Sequence, residues 1–152
     1  MKNISPTEQH WRALEAMYLA APINDLYPPT IEISEAKACI SLAVDPQHFH
    51  VMGSLHGSVY FKLLDDSAVF AVASMNQDHA IFTATFNCSI RAPVSTGRIT
   101  ATGKITDVRG RKVYAESTMT DDQGRIVATG SGMFMPAPFN YHAISEYQDA
   151  IK

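Results

Sequence analysis

The chain has 152 residues, a length that is enough for one domain around one core. Hydrophobic residues make up 46% of it and charged residues 18%, and nothing in this composition argues for disorder. A formal net charge of −3 gives no support for nucleic-acid binding, which requires a basic face. No apolar run approaches the ~20 residues of a membrane span, and the start, MKNISPTEQHW, lacks the apolar stretch of a secretory signal, so we expect a cytoplasmic protein without membrane or nucleic-acid partners.

The N-terminal third of the chain predicts a helix and then a strand. Ser5 and Glu8 form a capping box with proline at the first helical position, which predicts a helix over residues 5–21. Apolar and polar residues then alternate over residues 30–44, which predicts a strand. The alternation changes phase near Ser34, so we expect a bulge or bend there.

The middle of the chain predicts one long buried helix. Residues 45–58 contain a proline, two glycines and three histidines with little periodicity, which is typical of a loop. Residues 58–76 are apolar on nearly every side of a helix, so this helix is expected to be buried nearly all round.

The second half of the chain predicts an antiparallel sheet. Alternating segments predict strands over residues 80–92, 98–108, 112–121 and 125–136. The last three are spaced for hairpins, and the order of elements predicts an α+β domain whose sheet wraps around the long helix. We expect a single domain over residues 1–152, with a core over residues 30–136 and a tail over residues 137–152.

The cysteines and histidines favour neither a disulfide nor a metal site. Cys39 and Cys88 lie in separate predicted strands, so we expect two free thiols. His48, His50 and His56 match no spacing that is typical of metal ligands, so no metal is expected.

Two features of the long helix point to chemistry. Gly57 stands where the helix begins, and the free N–H groups and the helix dipole there can stabilise an oxyanion. The alternative is that Gly57 only supports the turn into the helix. Asp65 and Asp66 lie in mid-helix, and helical geometry places Asp65 at the flank of the buried face and Asp66 further round. Asp65 is therefore the better candidate for a half-buried catalytic carboxylate, and Asp66 for a solvated or helix-dipole-related one.

The sequence around these residues resembles a known family. Residues 50–58 read HVMGSLHGS and are followed by Leu64-Asp65. This resembles the signature of hotdog-fold acyl-CoA thioesterases of the phenylacetate-pathway (PaaI-like) and thioesterase-superfamily-member-2 types. Their pattern is asparagine, two residues, glycine, one residue, Leu/Ile-His-Gly-Gly, and an acid nine residues after the histidine. Residues 82–87 and the ending Arg91-Ala-Pro also resemble the second strand of that family, and the likeness covers roughly residues 30–136.

The resemblance implies a hotdog fold, with an antiparallel sheet of about five strands around one long helix and an extra N-terminal helix, and it implies roles in catalysis. Gly57 would donate its N–H to the thioester carbonyl, and Asp65 would activate water or attack directly. Thr83 would position water near Asp65, and His56 would shape the entrance of the helix. His50 stands where the family has asparagine, which puts the second carbonyl contact in doubt, although an imidazole N–H is also a donor.

The resemblance also implies how the substrate and a second subunit contribute. Ser58 replaces the second glycine of the pattern. The candidate substrate-binding and coenzyme A-binding residues are Ser58, Phe61, Phe82, Arg91, Arg109, Arg111 and Lys112. The cationic turn formed by the last three would meet the phosphates of coenzyme A, although such a turn is also typical of a solvated hairpin tip. No cofactor is expected apart from coenzyme A as part of the substrate, and the family's shared site implies a homodimer or homotetramer.

Two other functions stay open on the sequence. A hotdog hydratase or dehydratase would pair a histidine such as His56 with a carboxylate. A non-catalytic acyl-CoA-binding domain would need no carboxylate at all. The nature of the acyl group is not determined by the sequence.

Overall fold

The fold is built around the long helix and one continuous sheet. The structure, a computed structural model, describes residues 4–152, so the first three residues of the predicted domain 1–152 lie outside the described part. The helices are α1 (Pro6–Ala20), α2 (Gly57–Ala73) and α3 (Ser145–Ala150). The strands are β1 (Thr30–Ser34), β2 (Lys37–Ala43), β3 (Ile81–Ile90), β4 (Arg98–Arg109), β5 (Lys112–Thr120) and β6 (Ile126–Pro136). Short 3-10 turns lie at Pro22–Asp25, Pro46–His48 and Tyr141–Ala143.

The sheet has six strands in the order β1-β2-β4-β5-β6-β3, and all neighbouring strands are antiparallel. It wraps around α2, of which nine residues are buried. This arrangement of one buried helix in an antiparallel sheet is the hotdog fold and confirms the predicted fold class, with one strand more than the five expected. The predicted N-terminal helix is also confirmed, because the Ser5 side chain accepts a hydrogen bond from the N–H of Glu8.

The helix α2 lies directly on the strands because small residues let the backbones approach. A Cβ at Gly103 would stand 2.1 Å from the carbonyl oxygen of Ser67, so only glycine fits at this point of β4. The Ser117 hydroxyl on β5 donates to the carbonyl oxygen of Leu64 at 2.8 Å. These contacts fix the position of α2 along the sheet.

The predicted strand over residues 30–44 is a hairpin, so the expected bend near Ser34 is a full reversal of the chain. Two residues, Glu35 and Ala36, form the turn, and Ala36 has a φ of 54°. Ile33 lies opposite Ala38 in the register, and both are fully buried. The two arms have opposite phases in sequence because residues opposite each other in a hairpin face the same side of the sheet.

The two edge strands of the sheet, β1 and β3, differ in how their outer backbone groups are bonded. At the β1 edge, the backbone of Ile33 is covered by α1, since Arg12 Nη2 donates to its carbonyl at 2.6 Å and Glu15 Oε1 accepts from its N–H at 2.7 Å. Arg12 and Glu15 also pair with each other at 3.0 Å. The ten-residue β3 edge has one neighbour, β6, and no second partner strand in the described part of the chain. Such an open edge is a template for pairing with another chain.

The terminal helices hold the C-terminal end of α2. His10 Nε2 donates to the carbonyl of Ala73 at 2.9 Å, and the Trp11 indole N–H donates to that of Ser74 at 3.0 Å. The last carbonyls of a helix have no partners within it, so these donors cap α2. The predicted tail is ordered through α3, whose Tyr147 hydroxyl lies 2.6 Å from His10 Nδ1.

Both cysteines are free thiols, as predicted. Among residues 4–152, no helix combines the length and the apolar character needed to cross a membrane.

Candidate active site

Asp65 is a half-buried carboxylate at the flank of α2, held by one hydroxyl group of β3. The Thr83 hydroxyl donates to Asp65 Oδ1 at 2.7 Å. The register between β3 and β6 shifts between Thr83 and Thr85, which marks a bulge in β3. This bulge changes the phase of the strand, so Thr83 lies on the helix side together with Phe86, while Phe82 is 46% exposed. The structure therefore brings the two predicted residues Asp65 and Thr83 together.

The environment of Asp65 favours its protonated form more than water does. Burial raises the pKa of the Asp65 carboxyl above its usual range, and the nearby charge of Asp66 raises it further. The Thr83 hydrogen bond and the charge of Lys62 lower this pKa and so oppose the other two effects. A half-buried carboxylate with a raised pKa is a stronger base than a solvated one, which suits proton abstraction near neutral pH.

Asp66 is turned away from Asp65 and is tied to α1. Lys62 Nζ lies 2.6 Å from Asp66 Oδ2, and the Tyr18 hydroxyl donates to the same oxygen at 2.8 Å. Lys62 also donates to Asn24 Oδ1 at 2.8 Å. The expectation that Asp66 is solvated is wrong, because its side chain is only 21% exposed and its charge is paired with Lys62.

This Lys62–Asp66–Tyr18 network was not anticipated. The spacing of four residues between Lys62 and Asp66 on a helix could have revealed their pairing. Nothing in the local sequence could have revealed Tyr18, which lies on a different helix and arrives through tertiary packing.

The N-terminus of α2 offers an unused backbone donor. His56 is the N-cap, and its Nδ1 accepts from the N–H of Ser58 at 3.1 Å and lies 2.8 Å from the Ser58 hydroxyl. His56 therefore caps the start of the helix. The N–H of Gly57 donates to no acceptor in the part of the chain that the structure describes. A Cβ at Gly57 would meet the Ile90 side chain at 3.4 Å, an ordinary contact, so the fold of one chain does not itself require glycine there.

His50 is occupied within its own loop. Its Nδ1 accepts from the N–H of Met52 at 3.1 Å, and its Nε2 lies 3.0 Å from the Ser54 hydroxyl. A contact between His50 and a thioester carbonyl stays a prediction, and it would compete with the bond to Ser54.

The aromatic residues beside Asp65 leave an apolar surface. Phe61, one turn before Asp65, is 42% exposed, and its ring packs edge-to-face on Phe86 with centroids 5.3 Å apart. Tyr60 belongs to the core instead, since it is buried and its hydroxyl donates to the carbonyl of Ala92. An acyl group near Asp65 would meet Phe61 first.

The cationic turn lies at the same end of the sheet as Asp65. Thr83 pairs with Phe134, which pairs with Val113 at the start of β5. Two strand spacings of ~4.8 Å place the turn at residues 109–112 roughly 10 Å from Thr83. Arg109 is engaged locally, because its Nε lies 2.7 Å from Asp107 Oδ2 and its guanidinium stacks over Tyr114.

Arg91 lies elsewhere, at the far end of β3. Its guanidinium approaches the Thr129 hydroxyl at 3.5 Å. It lines a polar groove of about 540 Å³ that also contains Asn87, Glu116 and Thr118. Asp65 and Gly57 do not line this groove. No group of three or more metal-ligating side chains lies together among residues 4–152.

Replacing Thr83 with valine tests the control of Asp65. The variant keeps the side-chain shape but removes a donor that stabilises the ionised carboxylate, so the pKa of Asp65 should rise further. An NMR titration of the Asp65 carboxyl carbon measures this directly. Thr85→Val, beyond the bulge, is the matched control and should leave the pKa unchanged; an unchanged pKa in Thr83→Val would contradict the interpretation.

Comparison with known proteins agrees with the fold. A family model described as the thioesterase superfamily matches residues 52–128, which is about half of the chain and includes Gly57, Asp65 and Thr83. No curated protein matches the sequence.

Several solved structures are similar over most of the chain. The PaaI protein of the E. coli phenylacetic acid degradation operon has a TM-score of 0.80 at 20% identity and covers 90% of this chain and 99% of its own. A conserved protein from Pseudomonas aeruginosa has a TM-score of 0.73 at 18% identity, covering 78% of this chain and 96% of its own. A variant of a thioesterase enzyme from Staphylococcus aureus has a TM-score of 0.73 at 16% identity, covering 78% and 100%. At these identities the structural likeness shows the fold alone. The family model shows more, and the chain belongs to the thioesterase superfamily.

Proposed function

We propose that the protein hydrolyses acyl-CoA thioesters to a free acid and coenzyme A, with Asp65 as general base or nucleophile. The observation that carries this proposal is the half-buried Asp65 carboxylate, held by Thr83 at 2.7 Å beside the exposed face of Phe61. Membership of the thioesterase superfamily supports thioester chemistry. No metal or organic cofactor is needed, and coenzyme A enters only as part of the substrate.

The chemistry requires two groups with different tasks. A base takes a proton from water as its oxygen attacks the thioester carbon, or a carboxylate oxygen attacks that carbon directly. A donor stabilises the negative charge that develops on the carbonyl oxygen, and the thiolate of coenzyme A then leaves. In the direct-attack route a water then hydrolyses the acyl-Asp65 anhydride, which releases the free acid and restores the carboxylate. Asp65 suits the first task. The N–H of Gly57, at the positive end of the α2 dipole, suits the second.

These two groups cannot act on the same carbonyl within one chain. Gly57 and Asp65 are eight residues apart on one helix, which is about 12 Å along its axis. A complete site therefore needs Gly57 of one subunit and Asp65 of another. The open β3 edge can pair with a strand of a second copy and so form such an assembly.

Antiparallel pairing of β3 with a second copy would complete the site. If the twofold axis passes through the pair formed by Asn87 of both chains and the bulge residue Ala84 stays unpaired, Ile90 of one chain lies opposite Thr83 of the partner subunit. The Ile90 side chain lies beside Gly57, and the Thr83 hydroxyl donates to Asp65. Pairing of Ile90 with Thr83 would therefore bring Gly57 of one chain near Asp65 of the other. Each homodimer would then contain two sites, each with a donor from one chain and a carboxylate from the other. A homotetramer built from two such dimers is compatible with this proposal.

The cationic turn is the proposed contact for the phosphates of coenzyme A. It lies at the Asp65 end of the sheet, about 10 Å from Thr83. Arg111 and Lys112 form no ion pair with other residues of the described chain, whereas Arg109 is paired with Asp107. Arg111 and Lys112 are therefore the stronger candidates.

The hydratase and the binding-only alternatives receive no support from a specific contact. The His56 Nδ1 accepts from the N–H of Ser58 and so caps α2. An assay on a panel of acyl-CoAs separates the three functions by product: free thiol, enoyl or hydroxyacyl species, or no product.

The role of Asp65 is tested by comparing two neighbouring carboxylates. Asp65→Asn keeps the shape but removes the charge and basicity, so kcat for acyl-CoA hydrolysis should fall by about 10²–10⁴-fold with KM much less changed. Asp66→Asn removes a carboxylate that faces away, and should cost less than about tenfold in kcat.

The comparison needs a control for folding. Asp66→Asn breaks contacts to Lys62 and Tyr18, so its thermal stability should be measured and its kinetics recorded well below its Tm. If both variants lose activity equally while folded, or if Asp66→Asn loses more, the assignment of the catalytic carboxylate is wrong.

The contact with coenzyme A is tested at the turn. Arg111→Ala and Lys112→Ala should raise KM for acyl-CoA more than they lower kcat, and they should leave kinetics toward an acyl-pantetheine unchanged. Lys104→Ala is the matched control, since Lys104 is an exposed cation on β4 that pairs with Glu116. Equal kinetics of the unmodified protein toward acyl-CoA and acyl-pantetheine would contradict a nucleotide contact.

The shared site is tested by subunit mixing. Gly57→Ala should fold, because the added methyl makes an ordinary contact with Ile90, but it should hinder close approach of the thioester. Mixed with Asp65→Asn, it forms heterodimers with one intact site, so activity should recover to roughly a quarter of that of the unmodified protein after random exchange. If mixing restores no activity although mass spectrometry detects heterodimers, the proposal that Gly57 and Asp65 of one site come from different chains is wrong.

A further inference from the structure

A mainly apolar cavity lies between α1 and α2, and the proposed chemistry gives it no role. Its volume is about 320 Å³, which is within the range of small-molecule pockets. Its apolar lining comes from the end of α1, the 3-10 turn that follows and one side of α2, and consists chiefly of Met17, Ala21, Ile23 and Phe70. We name it the α1–α2 cavity.

The apolar lining of the cavity is supported from behind and open in front. The ring of Tyr18 packs edge-to-face on that of Phe70, with centroids 5.0 Å apart, and Tyr18 belongs to the buried core. Ile23, in contrast, is 53% exposed. A ligand that covers this apolar surface removes it from water, which favours an apolar occupant.

The charged side chains that line the cavity already have partners. The Lys62 ammonium has three N–H donors, and three acceptors lie near it: Asp66 Oδ2 at 2.6 Å, Asn24 Oδ1 at 2.8 Å and the Tyr18 hydroxyl oxygen at 3.3 Å. The Tyr18 hydroxyl in turn donates to Asp66 at 2.8 Å. Covering an unpaired charge would oppose ligand binding strongly. Because these charges are paired, the cavity suits an uncharged aliphatic chain.

The cavity begins one side-chain position away from Asp65. Lys62 and Asp65 are three residues apart on α2, so their Cβ atoms are about 5–6 Å apart. The charge of Lys62 acts on Asp65 and lowers its pKa. The partly buried Val69 lies one turn after Asp65 and, around the helix axis, between Asp65 and Phe70. A thioester carbon at Asp65 would therefore have its acyl chain next to the cavity.

The cavity and the cationic turn lie on opposite sides of Asp65. Phe61 packs on Phe86 of β3, so β3 and Thr83 flank α2 on one side, and the turn at residues 109–112 lies about 10 Å beyond Thr83. The cavity lies on the other side of α2, against α1. A substrate whose phosphates are at the turn would thus point its acyl chain toward the cavity.

We propose that the α1–α2 cavity binds the aliphatic chain of the acyl group, so that the preferred substrates are straight-chain acyl-CoAs of medium length. This rests on the proposed function, since the thioester must lie at Asp65. The first carbons of the chain would contact Phe61 and Val69, which stand one turn before and after Asp65. The later methylenes would lie between Ile23 and Phe70, which an acetyl group is too short to reach.

A chain-length series tests this assignment. From acetyl-CoA to decanoyl-CoA, kcat/KM should rise about fourfold for each methylene that enters the cavity. Ala21→Trp fills the cavity and should remove most of this gain. Ile23→Asn makes a half-exposed wall residue polar, so it should fold, and it should lower kcat/KM for decanoyl-CoA by about tenfold. Both variants should hydrolyse acetyl-CoA as the unmodified protein does.

The matched control is a leucine of α1 outside the cavity. Leu19 is 48% exposed and does not line the cavity, so Leu19→Asn should leave the chain-length gain unchanged. An equal loss in Leu19→Asn, or a gain that survives in Ala21→Trp and Ile23→Asn while both are folded, would overturn the proposal. If Ile23→Asn instead lowers the oligomeric state in sedimentation velocity and keeps the gain, the lining is an interface between copies and the proposal is wrong.

A binding measurement separates this inference from the proposed function. In NMR spectra, the methyl group of octanol, an uncharged aliphatic probe, should give NOEs to the Phe70 ring and the Met17 methyl group, and Ala21→Trp should abolish them. If these NOEs appear and no acyl-CoA is hydrolysed, the cavity stands as a site for an aliphatic chain and the proposed function fails. If acyl-CoAs are hydrolysed but the NOEs are absent and the chain-length gain does not depend on the cavity, this inference fails and the proposed function stands.

Discussion

The close packing of α2 on the sheet is the constraint on which the other features depend. The helix is too apolar to be stable in water, so the sheet must cover it, and the glycine at position 103 lets the two backbones touch. His10 and Trp11 close its C-terminal end, so that the helix is fixed along its whole length. A functional group on such an element is held more precisely than one on a loop. Asp65 therefore has a defined depth, and the N-terminus of α2 a defined direction.

The pair of neighbouring carboxylates shows how environment assigns roles. Asp66 is compensated by Lys62 and Tyr18, and its contacts join α1 to α2. Asp65 receives a single hydrogen bond, from the Thr83 hydroxyl, and its burial raises its pKa. Two identical side chains, adjacent in sequence, thus differ in what they can do: one is satisfied structurally, and the other keeps an oxygen for chemistry.

The two edges of the sheet differ in what covers their backbone groups. Arg12 and Glu15 occupy the backbone groups of Ile33 and so close the β1 edge to other strands. The β3 edge carries no such guard, and it is also the strand that holds Asp65 through Thr83. An edge that pairs with a second copy would therefore place the carboxylate at the subunit boundary. The same boundary explains why the donor and the base can be far apart in one chain.

The sequence by itself determined most of the order of elements and the buried helix, because helical and strand periodicities depend on neighbours close in the chain. Tertiary structure alone decided three further points: that residues 30–44 form a hairpin, that the Tyr18 hydroxyl donates to Asp66, and that Thr83 faces the helix while Phe82 faces outward. Each depends on a partner that is distant in sequence. For Thr83 the physical reason is the bulge, since one extra residue in β3 reverses which face each later side chain occupies, and a period of two cannot reveal where that residue is inserted.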